Sequence, residues 1–363
     1  MSFLPLAGAR VVDVTASLAG PTCTQLLSAL GADVVKVEPP EGDHARAWGP
    51  PFVDGDGALF FAANAGKRSV VLDLERDREQ VLELVDGADV FVQSLRPGLA
   101  ERRRLGADAL RARWPRLIHC SIGAYGRVGP LADRPGYDPL LQAASGIMSV
   151  TGEPDGPPVR VGVSLVDFAT GQWAAIGILA ALLEREQTGR GATIDTSLYE
   201  TSLALLASQV AAHAADGETP GRHGSAFPLI APYEVFPTSD GGLMIAAGSD
   251  ALWVRLRGAL GLVDDERFRT NPDRVRNRDA LVALLAEVFA TRSSDEWEAV
   301  LAEAGVPAAP VRTVAEAVAH EQTRALGILQ RLGGGVTVAP PLSVDGERIL
   351  HRAPPPRRGG NPH

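Results

Sequence analysis

The sequence predicts an α/β protein, a Rossmann-like parallel-sheet large domain followed by a small α+β domain, and three observations carry that expectation. First, RVVDV from Arg10 leads into TASLAGPTCTQLLSALGADVVKVEPP, an apolar helical stretch ending at Gly31 and a second β-run over 33–37. This is a βαβ unit. Second, β-like runs recur at 69–74, 89–94 and 117–126, as a parallel sheet with helices on its faces requires. Third, GQWAAIGILAALLEREQTGRG is apolar nearly all round up to Glu184, the pattern of a helix buried between layers, and its GRG turns into the β-run ATIDTS.

Beyond a helical stretch over 198–215 comes DGETPGRHGSAFP, rich in glycine and polar residues, and the pattern changes there. The runs YEVFPT and LMIAAG then precede helical stretches at 279–291 and 294–305. We therefore divide the chain into a large domain over 1–200, a linker over 201–230, a small domain over 231–315 and a return segment over 316–363 that packs on the large domain.

The 363 residues carry 35 Lys plus Arg against 44 Asp plus Glu, a net charge of −9, which disfavours a nucleic-acid partner needing a basic face. Two cysteines, Cys23 and Cys120, are too few for a disulfide framework or a four-cysteine zinc site, and the seven histidines show no ligand spacing. No metal is expected. The start MSFLPLAGARVV lacks the pattern of a signal peptide, and the longest apolar run, 173–183, is shorter than the ~18 residues of a membrane span. These readings place the protein in the cytoplasm with no membrane partner. A βαβ unit whose second strand ends at Glu38 also invites a dinucleotide site, but the loop TASLAGP has one glycine, Gly20, where the fingerprint needs three.

The segments LAGARVVDVTASLAGPTCTQLLSALGADVVKVEPPEGD, NAGKRSVVLDL, DVFVQSLRPG, RPGYDPLLQAASG, SVTGEPDGPPVRVGVSLVDFATG and APYEVFPTSDGGLMIAAGSD occur in one order along most of the chain. Together they resemble the class III (CaiB/BaiF-type) CoA-transferases, a family that includes α-methylacyl-CoA racemases. The resemblance implies an interlocked homodimer and acyl-CoA and a carboxylic acid as substrates, with no tightly bound cofactor. It also implies an aspartate nucleophile, which falls in GEPDGPP on Asp155. That carboxylate would attack the donor acyl-CoA to give a mixed anhydride and then an aspartyl-CoA thioester, from which CoA passes to the acceptor acid.

For CoA contacts the matching segments offer Ser17, Leu18 and Ala19 in the first loop, Arg46, Arg68, Leu72, and Ser94, Leu95 and Arg96 in SLRPG. Gly123, with Gly126 and Gly129, and Gly224 are candidate sources of backbone N–H groups for an oxyanion. Tyr137 stands in PGYD where racemases have histidine, and a phenol, which as a class loses its proton only near pH ~10, is a poor proton shuttle at neutral pH. Racemisation is thus the second reading, and a CoA-binding paralogue without turnover the third. Asp138 and Asp167 fall at the other two racemase positions and are expected to line the pocket.

Overall fold

The computed structural model describes residues 3–360. Chain contacts group into two units. The first takes the chain up to Ile147, Arg160–Glu218 and the chain from Gln322 on; the second takes Met148–Val159 and Thr219–Glu321.

In the first unit, β1 (Arg10–Val14), β2 (Asp33–Glu38), β3 (Arg68–Val71), β4 (Val90–Gln93), β5 (Ile118–Gly123) and β6 (Thr193–Ser197) form one sheet in the order β3-β2-β1-β4-β5-β6. Every neighbouring pair is parallel. Val11, Val12, Val34, Phe91 and Val92 are buried, as in strands covered on both faces. The order reverses between β1 and β4. Loops leaving these two carboxyl ends part in opposite directions and open a crevice, the usual ligand position in an open α/β sheet.

Four helices bear on that edge, α1 (Ala19–Ala29), α2 (Asp138–Ser145), α3 (Leu165–Thr188) and α4 (Leu198–Leu205), and α5 (Ala207–Asp216) follows α4. Because α3 leads into a strand parallel to β1, it runs back along the sheet and starts at the carboxyl edge. It packs on α1 through Gly171, where a Cβ would lie 2.5 Å from the Ala19 carbonyl oxygen and 2.9 Å from Thr22 Cβ. Neither helix backbone can give way cheaply. Gly171→Ala is therefore expected to cost about 1–3 kcal/mol by overpacking. A denaturation midpoint unchanged from wild type would show that the helices do not approach this closely.

The sequence pattern of α3 suggested burial on all sides, but the chain alone covers one face. Val166, Ala174, Ala175 and Ile178 are buried, whereas Trp173 and Ile176 are each 54% exposed and Leu183 72%. At 24 residues and a mean hydropathy of 1.5, α3 is long and apolar enough to span a bilayer by length and composition, although no uninterrupted run in it reaches that length. Its buried face is committed to α1 and the sheet.

In the second unit, β7 (Tyr233–Pro237), β8 (Gly242–Ala246) and β9 (Ala308–Pro310) make an antiparallel sheet with β8 central. Helices α6 (Asp250–Ala259), α7 (Arg278–Phe289) and α8 (Ser294–Glu303) supply Leu256, Leu285, Phe289 and Trp297 to a core with Phe236, Leu243 and Ile245 from the strands. The second unit runs over Thr219–Glu321 rather than 231–315, and two further features differ from the sequence division. Helices α4 and α5 fill much of the span assigned to a linker, and Met148–Val159 groups with the second unit. The reason for the second is Arg222, whose guanidinium donates to the carbonyls of Glu153, Pro154 and Gly156 and pins that turn.

Candidate active site

Beneath the loop that follows β1 lies a fully buried ionic layer. Asp13, in β1, accepts hydrogen bonds from the Thr15 amide and hydroxyl, the Thr24 hydroxyl and Lys67 Nζ. Lys67 also donates to Asn64 Oδ1 at 2.7 Å and the Pro21 carbonyl at 2.9 Å. Lys36, in β2, donates to the Thr15 carbonyl and pairs with Asp43 at 2.9 Å. Burial works against the Asp13 carboxylate, yet Lys67 and Lys36, together with the Thr15 and Thr24 hydrogen bonds, outweigh it and hold its pKa below the usual range. For Lys67 burial wins over Asp13 and brings the ammonium down to about 8. Both lysines of the chain are thus spent on fixing the loop, and neither can reach a phosphate.

On this layer the Thr15–Leu18 loop takes a sharp turn. Ser17 has φ +69°, and its amide donates to Asp43 Oδ1. Gly20 is required here, since a Cβ would lie 2.3 Å from Thr15 Cβ. Leu18 is buried and faces the core rather than a ligand, and Ala19 opens α1. Across the crevice Ser94 Oγ accepts from the Ala16 amide at 3.2 Å and ties the loops after β1 and β4 together. Leu95 packs on the core below, its amide donating to Gln93 Oε1.

The arginines divide by partner. Arg46 is not a free cation: it donates to both oxygens of Glu38, to Asp56 and to the Pro356 carbonyl, and lies 3.7 Å over the Phe60 ring. These contacts also occupy Glu38, which therefore has no role toward a ribose. Arg68 pairs with Asp33 through two bonds. Arg96 is exposed at the crevice, and among the described residues nothing pairs with its guanidinium. Leu72, just past β3, is half-buried against the core.

The two acids after β5 lie at the same edge. Asp138 is buried; its Oδ1 accepts from Gln142 Nε2 at 2.6 Å, and its Oδ2 accepts from the amides of Val166 and Asp167. It thereby caps the start of α3, a helix whose own N-cap residue, Ser164, makes no capping bond. Asp167 sits in the first turn of α3 and keeps an accessible side. Burial, with the Asp138 carboxylate beside it, pushes its pKa up to about 7. It lies one helical turn, ~5.4 Å, before Gly171, the residue packed on Ala19. Gly123 ends β5, and Gly126 and Gly129 follow it with φ of +94° and +95°. Tyr137 is 54% exposed and precedes α2.

Asp155 belongs to the second unit. It is exposed on the turn held by Arg222, and among the described residues nothing donates to its carboxylate. Gly224, with φ +58°, donates its amide to the Gly152 carbonyl, and a Cβ there would meet the Glu153 carboxylate at 2.6 Å. Its amide is therefore engaged in latching the turn. Both cysteines are free and buried, and burial raises the Cys120 thiol to about 12, so neither is a nucleophile.

A sequence model of CoA-transferase family III matches residues 6–361. The chain belongs to that family. It is an enzyme that moves CoA between acids. The chain is 41% identical to the acetyl-CoA:oxalate CoA-transferase of Acetobacter aceti, over 96% of this chain and 92% of that protein. To the succinate–glutarate CoA-transferase of Agrobacterium fabrum it is 40% identical, over 98% and 93%. A CaiB/BaiF family protein from Brucella suis superposes with a TM-score of 0.90 at 41% identity, covering 99% of this chain and 97% of that one. The CoA-transferase assignment thus rests on the whole chain.

Proposed function

We propose that Asp167 is the nucleophile of CoA transfer and that the crevice between β1 and β4 takes the acyl-CoA. The observation that carries this reading is the setting of Asp167: a half-buried carboxyl on the first turn of α3, at the carboxyl edge of the sheet, beside a second acid already held by three N–H donors. The resemblance supplies an aspartate, and the stretch that carries it contains two. Asp155 has the environment of a solvated turn residue, so the nucleophilic role moves from Asp155 to Asp167.

In this reading Asp167 attacks the donor thioester carbonyl, giving a mixed anhydride and CoA thiolate. The thiolate returns to the aspartyl carbonyl, releases the donor acid and leaves an aspartyl-CoA thioester. The acceptor carboxylate then attacks that thioester, and the thiolate captures the acceptor acyl group. A desolvated carboxylate is a stronger nucleophile than a hydrated one, and the α3 N-terminus offsets part of the cost of its charge. Asp138 acts as a positioning residue by fixing the first turn of α3. Oxalate, succinate and glutarate in the relatives' names make short dicarboxylic acids the first acceptors to assay.

The pH dependence tests the reading. Asp167 attacks only when ionised, so kcat/KM is expected to rise with pH through a limb centred near 7. Stability moves the opposite way: the folded carboxyl holds its proton up to about 7 while the unfolded one loses it near 3.8, so this group's contribution falls as pH rises between those values. Asp167→Asn is expected to remove both trends, and at pH 8 to be at least as stable as wild type. A kcat/KM flat from pH 5 to 8 contradicts the assignment. The exposed apolar face of α3, together with α5, which has no buried residue, supports a homodimer. Interlocking of its subunits is part of the same proposal.

A further inference from the structure

One feature of the carboxyl edge has no part in transfer through Asp167. Ser17 Oγ lies 2.6 Å from His44 Nε2, an O–H and a ring nitrogen at the separation of a nucleophile and its base. The serine sits where β1 turns sharply into α1, in the left-handed region at φ +69°, a conformation that lifts a side chain off the end of a strand. His44 comes from the short helical turn His44–Ala47 that follows β2, on the same edge. Its other ring nitrogen, Nδ1, faces Asp43 Oδ1 at 4.0 Å, and its ring lies against Trp48 with centroids 5.0 Å apart. The first amides of α1, which no side chain caps, follow directly.

Nothing in the fold requires this pair. The turn is already fixed by the Ser17 amide on Asp43, by Lys36 on the Thr15 carbonyl and by Asp13 on Thr15. The imidazole is half-exposed, so it is open to a substrate and to water.

We propose that Ser17 and His44 form a second acyl-accepting pair that hydrolyses acyl-CoA. This rests on the reading above only in that the crevice binds the acyl-CoA. Ser17 Oγ attacks the thioester carbonyl and its proton passes to His44 Nε2. The C–S bond breaks and the leaving sulfur takes that proton, leaving an ester on Ser17 and free CoA thiol. Water then adds to the ester with His44 taking its proton, the C–O bond to Ser17 breaks, and the acid leaves as Ser17 regains a proton. The sum is acyl-CoA plus water to acid plus CoA.

The test is made in full-length Asp167→Asn protein, where the aspartyl route is closed. Acetyl-CoA or succinyl-CoA is supplied without acceptor acid, and free thiol and acyl-peptide are followed. Residual hydrolysis is expected in Asp167→Asn, with a drop of at least ~100-fold when His44→Asn is added, the size of a lost general base. Ser17→Ala is expected to do the same, and a fluorophosphonate is expected to label the peptide containing Ser17. Hydrolysis unchanged by His44→Asn, together with no labelling of Ser17, overturns the proposal. Persistence of CoA transfer in Asp167→Asn would instead overturn the nucleophile assignment, and the two failures are read from different products.

Discussion

Asp167→Asn is expected to lower CoA transfer roughly a thousandfold or more, because a residue that carries the covalent intermediate has no substitute in the site. The amide keeps the shape of the side chain and leaves the Asp138 bonds to the α3 amides in place, so the protein should fold and still bind acyl-CoA. The loss should therefore fall on kcat with KM little changed. Asp155→Asn is expected to stay within a few-fold of wild type, since the Asp155 carboxylate is exposed and its turn is held through backbone carbonyls by Arg222. A large kcat loss in Asp155→Asn with an active Asp167→Asn would reverse the assignment.

The largest stability effect is expected at Lys67. Replacing it with methionine removes a fully buried cation, leaves Asn64 Oδ1 and the Pro21 carbonyl without their donor, and strips Asp13 of one of its two cations. Breaking a buried pair from one side typically costs about 3–5 kcal/mol, because the charge left behind stays desolvated. Asp13→Asn combined with Lys67→Met should recover part of that cost, as paired sites in one network are not additive. Denaturant unfolding of the single and double variants reads both quantities. A Lys67→Met protein within about 1 kcal/mol of wild type would show that the layer is hydrated in solution.

The sheet was legible because each β-run is apolar and β-branched and each is closed by a glycine or a polar turn; strand β1 falls on the residues read from RVVDV. What those runs did not disclose is what their charged members do. Asp13 and Lys36 each interrupt an otherwise apolar strand, a pattern that signals buried partners, but naming the partners needed the sheet register that sets Asp13 opposite Lys36. Arg46 is offered as a CoA contact by the matching segment it stands in, and only the fold reveals that Glu38 and Asp56 already hold it.

The two aspartates illustrate a sharper limit. The resemblance put the nucleophile on Asp155, which stands among prolines and glycines in a turn rigid enough to hold one carboxylate. Asp167 stands at the start of an apolar helix, where burial first, and then the Asp138 carboxylate, raise its pKa; Asp138 is distant in sequence and brought near by the capping of α3. The run read as helical starts at Gly171, whereas α3 starts at Leu165, so Asp167 falls in a first turn that the apolar pattern did not mark.

The most direct test of the central claim is peptide mass spectrometry after mixing the protein with succinyl-CoA and quenching with hydroxylamine, which converts an activated carboxyl to a hydroxamate. We expect the modification on the peptide containing Asp167, absent in Asp167→Asn and present in Asp155→Asn. Modification confined to the peptide containing Asp155 would contradict the account.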